Sequence, residues 1–363
     1  MEGDVVRQAG AGSGEPFDVA CLGESMVAFR PTRPGPLADV PSFDRGIGGA
    51  ESNVACAMAA AGRRVRWVSR VGADGFGDHL LAGIAAAGVD VSAVARDAGR
   101  PTGVYFRTAG ERSALPEGGE GAAPSSTHEV AYYRAGSAAS AMAPTNVDPG
   151  VLDAARILHL TGITAALSTG CLALLRALTG PRTGRPLLSF DVNYRAGLWA
   201  TNATGSAPEV LLGLARRCDV VFVGDDEAMA LWGAADPAAV RALLPEPGVL
   251  VVKQGAEGAT AFAADHTVRI PAPTVDVIAS VGAGDAFAAG FLDATLRGLG
   301  LAARLRHGHL WAAAALTVPG DLAPPPGRRL ADELAGLGEQ AWETLRLAPG
   351  WTERRSETVS VVP

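Results

Sequence analysis

Short, continuously apolar runs alternate along this chain with longer Ala- and Leu-rich stretches at helical spacing. The runs Phe17–Leu22, 66–71, 156–160, 186–191, 220–223 and 248–253 predict strands, and several end in Gly or Asp. The stretches 53–61, 77–87, 168–178, 207–217, 236–244, 285–296 and 302–316 predict helices. Asp236-Pro237 gives the clearest start, an N-cap acid followed by proline at the first helical position. Strands apolar on both sides are buried on both faces. Their alternation with helices predicts βαβ units in an α/β fold, a mostly parallel sheet covered by helices on each face. Ligands of such sheets gather at the carboxyl ends of the strands. Asn193, Arg195, Glu227, Lys253 and the Gly282 turn all fall there.

Two segments, about 26–45 and 101–135, break the pattern with alternating or aromatic residues that suit antiparallel strands. They predict a small β lid over the strand ends, able to exclude water from chemistry beneath it. The Gly/Ser/Pro/Glu-rich run 109–127 inside the second segment reads as a hairpin tip. Residues 1–16 read as a disordered leader and 17–326 as one domain. After Pro324-Pro325-Pro326 the remainder, 327–363, predicts one helix at about 330–345 and a polar tail.

Composition narrows the function classes. A formal net charge of -7 without a long basic run argues against a nucleic-acid partner, and no apolar stretch is long enough to span a membrane. Cys21, Cys56, Cys171 and Cys218 are far apart and lack metal-ligand spacing, as expected of buried free thiols in a cytoplasmic protein. Among the 31 Lys and Arg residues only Lys253 is lysine, within Val251-Val252-Lys253-Gln254-Gly255.

The segment Ser280-Val281-Gly282-Ala283-Gly284-Asp285 carries the candidate chemistry. A Gly-Ala-Gly turn that feeds a helix leaves main-chain N–H groups unpaired, and the helix dipole adds partial positive charge there. A carboxylate at such an anion hole makes sense as a base that deprotonates a hydroxyl while the amides hold a transferred phosphoryl group. The plainer alternative is an Asp that caps a helix after a glycine turn.

Two further segments join that turn: Gly46-Ile47-Gly48-Gly49-Ala50-Glu51-Ser52-Asn53 and Val71-Gly72-Ala73-Asp74-Gly75-Phe76-Gly77. In this order and at these separations the three resemble the ribokinase/PfkB family of carbohydrate kinases, over about 17–326. The resemblance implies a ribokinase-like fold and ATP-dependent phosphorylation of a sugar hydroxyl. It assigns Asp285 as base, the amides of Gly282, Ala283 and Gly284 as anion hole, and Gly48, Gly49 and Asn53 as sugar contacts. The family's Asp after the first strand, which holds neutral sugar hydroxyls, is Ala28 here, whereas Arg134 and Arg195 offer two guanidiniums. A charge-assisted pair contributes about 1.5–3 kcal/mol, enough to favour an acid over a neutral sugar.

Together with Gly23-Glu24-Ser25-Met26 and the 159–164 segment, these residues resemble the 2-keto-3-deoxygluconate kinase branch. That likeness implies contacts to a sugar acid from Gly48, Gly49, Tyr105, Tyr132, Arg134 and Arg195. Tyr132 and Arg134 are favoured over Tyr133 because they share a strand face. It further implies nucleotide contacts from Asn193, Lys253, Gly255, Gly258, Gly282, Gly284 and His309, and a reach of Asp321 to the sugar. Strand packing for the tyrosines, a surface ion pair for Arg195, a strand-end role for Lys253 and a structural role for His309 are the competing readings. Glu227 is the expected organiser of Mg2+. Gly224 stands where the family has Asn, leaving Asp225 or Asp226 to compensate, and Ala279 replaces an Asp tied to K+ activation, which leaves K+ dependence open. A homo-oligomer through the lid is a further expectation. Fructokinase, another PfkB sugar kinase and a non-catalytic sugar-binding regulator are the alternatives.

Overall fold

The computed structural model describes residues 16–33, 35–108, 130–201, 205–264, 266–320 and 322–353. Its strands in chain order are β1 (Phe17–Leu22), β2 (Met26–Pro31), β3 (Phe43–Gly48), β4 (Val65–Val68), β5 (Arg70–Gly72), β6 (Ala95–Asp97), β7 (Val104–Arg107), β8 (Val130–Tyr133), β9 (Ala155–Thr161) and β10 (Leu187–Asp191). They continue with β11 (Val220–Gly224), β12 (Val249–Lys253), β13 (Ala259–Ala263), β14 (His266–Ile270), β15 (Thr274–Val275) and β16 (Arg346–Leu347).

The apolar runs build one eight-stranded sheet in the order β14-β13-β12-β11-β10-β9-β1-β4. It is parallel from β12 to β4, and a β12-β13-β14 meander adds an antiparallel edge. Alternate residues of β1 point to opposite faces, as strand geometry requires. Val19 and Cys21 join one core with Trp67, Phe222, Phe291 and the helices Ala50–Ala60, Ala283–Leu296 and Leu301–Leu316. Ala20 and Leu22 join the other, with Phe190 and the helices Thr169–Leu178 and Ala207–Ala215. The expected α/β class with helices on both faces is therefore observed. Asp236 caps its helix as its sequence signals, accepting a hydrogen bond from Ala239 N at 2.8 Å.

Both lid segments enter a second sheet, β3-β2-β7-β8. On one face Phe29 stacks on Phe106 at 4.7 Å and Phe43 meets Phe106 edge-on; Met26, Ala28 and Tyr105 cluster on the other. The run 109–127 and the leader through residue 15 lie outside the described residues. Among the described residues no helix is long and apolar enough to cross a membrane.

Three expectations need correction. The run 66–71 is not one strand: the chain leaves the main sheet after β4, and β5 pairs with β6 instead. Gly72 then packs on the Thr102 backbone, where a Cβ would come within 2.7 Å of the amide nitrogen. The single helix at about 330–345 is two, Arg328–Ala335 and Glu339–Glu343, because Gly336 closes the first and Gly338 opens the second. Nor is the chain from there to residue 353 a polar tail. Trp342, Leu345, Leu347 and Trp351 are buried in the core, β16 pairs with β15, and Trp342 Nε1 donates to Pro271 O at 2.9 Å.

Candidate active site

Gly282 caps the helix Ala283–Leu296 with φ of 77°, a left-handed conformation that favours glycine. The first-turn amides beyond it have no acceptor within the helix, which is the property the expected anion hole requires. Asp285 lies in that first turn, half-buried, and its Oδ2 accepts a hydrogen bond from Asn53 Nδ2 at 2.9 Å. Burial pushes the Asp285 carboxyl up to about 7. The Asn53 bond, Arg195 and Lys253 favour its ionised form, while the Asp191 charge opposes it. A base poised near neutral pH suits proton transfer.

Asn53 is delivered by the helix Ala50–Ala60, which Gly48-Gly49 opens. A Cβ on Gly49 would collide with the Glu24 carbonyl and lie 2.8 Å from Ser25 Cα, so only glycine fits there. Asn53 is 6% exposed, and its Oδ1 is a buried acceptor with no hydrogen-bond partner. Glu51, two residues earlier, is fully buried and accepts from Thr161 Oγ1 at 2.8 Å and Thr164 Oγ1 at 2.7 Å. Gly23 makes room for it, since a Cβ there would strike the carboxylate. These contacts tie the Asn53 helix to the end of β9.

At the end of β12, Lys253 Nζ lies 2.7 Å from Asp191 Oδ2 and 3.6 Å from where a Cβ on Gly284 would be. Lys253 therefore stands at the rim of the Gly282–Gly284 turn. Burial alone would lower its ammonium, but the Asp191 and Glu227 carboxylates hold it above its ordinary range. Asp191 Oδ1 accepts from Asn193 N at 3.2 Å, and Asn193 takes the left-handed φ of 40°. Glu227 grips the same turn from the other side, accepting from Tyr194 N at 3.0 Å and from Gly224 N at 2.8 Å. Burial raises the Glu227 carboxyl, and Lys253 partly counters it. Arg195, more than half exposed, reaches within 4.0 Å of Glu227 Oε1. Next to Gly224, the Asp226 carboxylate fills the space a side chain would take, and Asp225 and Asp226 accept from the main-chain N–H groups of Asp226 and Glu227.

Arg134 differs from expectation. It is not an open clamp: its Nε donates to Glu24 Oε2 at 2.8 Å, its Nη2 pairs with the same oxygen, and Ser137 Oγ donates to Glu24 Oε1. Glu24 is almost fully buried, so only a cation can balance it there. Arg134 does share a face with Tyr132, lying 5.9 Å from its ring centre, and Tyr132 stacks on buried Tyr105 at 5.6 Å. His309 is also a correction. It is 6% exposed, its Nε2 bonds Ile270 O at 3.1 Å, its ring packs edge-on against Phe287, and burial lowers its pKa to about 4. That ring is a core element rather than a nucleotide contact. Gly255 and Gly258 shape the turn after β12 with φ of 55° and 123°, and Gly258 packs on the Ile270 carbonyl. Asp321 lies outside the described residues. Sequence reasoning missed Glu51 and Asp191 as parts of the site; the signals available were glycine at position 23 and the lone lysine.

A carboxylate poised near neutrality before an amide-lined turn, with an ammonium at its rim, has the chemistry to deprotonate an alcohol beside an anion. That is the arrangement of a phosphotransferase. The chain matches the pfkB family carbohydrate kinase model over residues 17–327 and belongs to that family. It is 34% identical over 320 residues to the 2-dehydro-3-deoxygluconokinase of Thermoproteus tenax, covering 88% of this chain and 94% of that one. Against the 2-dehydro-3-deoxygluconokinase of Bacillus subtilis the identity is 33% over 317 residues, with 86% and 93% covered. The crystal structure of the PfkB protein from Polaromonas sp. JS666 matches with a TM-score of 0.71 at 36% identity, covering 82% of this chain and 95% of that one. The fold is ribokinase-like and the protein is a carbohydrate kinase.

Proposed function

We propose that this kinase transfers the γ-phosphoryl group of ATP to the 6-hydroxyl of 2-keto-3-deoxygluconate, also called 2-dehydro-3-deoxygluconate. The observation that carries the chemistry is Asp285, held by Asn53 in front of the Gly282–Gly284 turn. Asp285 takes the hydroxyl proton as the hydroxyl oxygen bonds to the γ-phosphorus and the bond to the β-phosphate oxygen breaks. The amides of Gly282, Ala283 and Gly284, with Lys253, offset the charge on the group in flight. Asn193, Gly255 and Gly258 border the nucleotide, while Gly48, Gly49, Asn53, Tyr105 and Tyr132 line the sugar side.

The substrate class follows from charge. Ala28 supplies no carboxylate and Arg195 stands half in solvent, where it can meet an anionic group, whereas Arg134 is engaged by buried Glu24 and borders the site through Tyr132. Mg2+ fits this site as an ion carried by phosphate oxygens and water. Among the described residues no cluster of three or more acidic, His or Cys side chains is built to ligate it. Glu227 and Asp226 would hold its waters, and bound there it would neutralise phosphate charge. Ala279 stands in place of the acid tied to K+ activation, which leaves K+ dependence open. We place the reaction in the cytoplasm, with no nucleic-acid or membrane partner, and expect any self-association to run through the lid, where Tyr133 is 66% exposed.

ATP consumption over a panel of neutral sugars and sugar acids tests the proposal. The keto-deoxy acid should have the highest kcat/KM. Preference for fructose would make the chain a fructokinase, and binding without turnover would make it a regulator.

A further inference from the structure

Asp191 ends β10 and is 2% exposed in the middle of the sheet, yet no step of the reaction requires it. An ionised carboxylate persists in such a place only if both oxygens are engaged. Here Oδ2 receives Lys253 Nζ at 2.7 Å and Oδ1 receives Asn193 N at 3.2 Å. The first contact draws the ammonium to the rim of the anion-hole turn, 3.6 Å from where a Cβ on Gly284 would sit. Through the second, Asp191 secures a non-glycine residue at φ of 40°, a conformation that survives only where its surroundings enforce it. That strained residue begins the turn that carries Arg195. The residues assigned above to the nucleotide and to the sugar acid are thus tied to one side chain.

The identity of residue 253 supports the same reading. In a chain that uses arginine at every other basic position, this one is lysine. Lysine is a compact point charge on a flexible stem, whereas arginine is a broad fork that would project into the turn beside Gly284. The other charged groups that bear on the pair are Glu227 from the helix Asp225–Trp232, Asp285 from the helix Ala283–Leu296, Arg195 from the turn itself and His159 from β9. Glu227, Asp285 and His159 hydrogen-bond to Tyr194 N, Asn53 Nδ2 and Ser189 Oγ respectively.

We propose that Asp191 is a positioning residue, whose single carboxylate aims Lys253 at the phosphoryl group and fixes the Asn193–Arg195 turn, without touching substrate itself. The inference rests on the phosphate role given to Lys253 above. Its test compares Asp191→Asn, Lys253→Met and the double variant, in the full chain, by steady-state kinetics and amine labelling. A misplaced ammonium should lower kcat by about 10²-fold, with sugar KM unchanged, because the Asn side chain keeps an oxygen for Asn193 N and so holds the Arg195 turn. Because the two residues act as one unit, the double variant should be no slower than Lys253→Met alone.

Labelling with acetic anhydride, read by mass on the peptide holding the one lysine, should be faster in Asp191→Asn, where the unpaired amine gives up its proton more readily. Should Asp191→Asn alone unfold, the comparison is made in the Lys253→Met background, which leaves no buried ammonium without a partner. Independent, multiplying losses in the double variant would overturn the proposal, as would wild-type kcat together with a wild-type labelling rate in Asp191→Asn. If the wild-type protein phosphorylates no sugar, the functional reading fails, and the labelling rates still decide whether Asp191 holds Lys253.

Discussion

Asp285 is a functional group that the folded state keeps ionised at a cost, and removing it should strengthen the protein. Burial raises its carboxyl from 3.8 to about 7. The folded state therefore binds this proton more tightly than the unfolded chain does. The stability that comes with it is fully present below about pH 4 and is lost as pH rises through about 7. At about 1.4 kcal/mol per pH unit, the ionised form costs the fold about 4 kcal/mol. Asp285→Asn has nearly the same size, still offers an oxygen to Asn53 Nδ2, and does not titrate. The variant should match wild type below about pH 4, gain on it between about pH 4 and 7, and stay ahead above that by up to about 4 kcal/mol. That is a large share of the 5–15 kcal/mol typical of a folded domain. Turnover in the same variant should fall about 10²–10⁴-fold, as expected on loss of a general base. Urea denaturation of both proteins across pH 3–9 supplies the comparison. Stability curves that run parallel over the whole range would refute the reasoning, because they would mean that the carboxyl titrates alike in the folded and unfolded chains.

Activity should fall as pH drops below about 7, following protonation of Asp285. Asn53→Ala, which removes a donor that favours the ionised base, should move that limb of the kcat/KM profile to higher pH. Gly282→Ala places a Cβ at φ of 77° and should cost about 1–2 kcal/mol in denaturant unfolding, with a drop in kcat as the amides shift. Arg195→Ala should reduce kcat/KM for a sugar acid by about 10-fold or more while sparing neutral sugars. Arg134→Ala should also lower thermal stability, because it leaves buried Glu24 without a counter-charge.

The features legible in the sequence were local. β1, β9, β10, β11 and β12 announce themselves because burial on both faces writes an uninterrupted apolar run. The Gly282 turn and the Gly48-Gly49 loop are legible because glycine marks the places where backbone must bend left or approach closely. Pairings across the chain left no comparable trace. Glu24 and Arg134 meet across 110 residues and Asp191 and Lys253 across 62, and the order of strands in the sheet brings each pair together. A guanidinium looks equally available in sequence whether or not a buried acid awaits it. His309 has the same ambiguity: only the packing of Phe287 and the Ile270 carbonyl shows its ring to be part of the core. Gly336 and Gly338 were visible as residues, but their power to break a helix depended on Trp342 and Trp351 being drawn inward.

The family model matches this chain as far as residue 327, whereas the hydrophobic interior continues to Trp351. A shortened protein trimmed to the family boundary would lose two indoles and the β16 edge, stripping cover from His309 and the helix Leu301–Leu316 behind the anion hole. Such a fragment would keep every residue assigned to chemistry and still be prone to clump, so versions made for expression or crystallisation should run through residue 353.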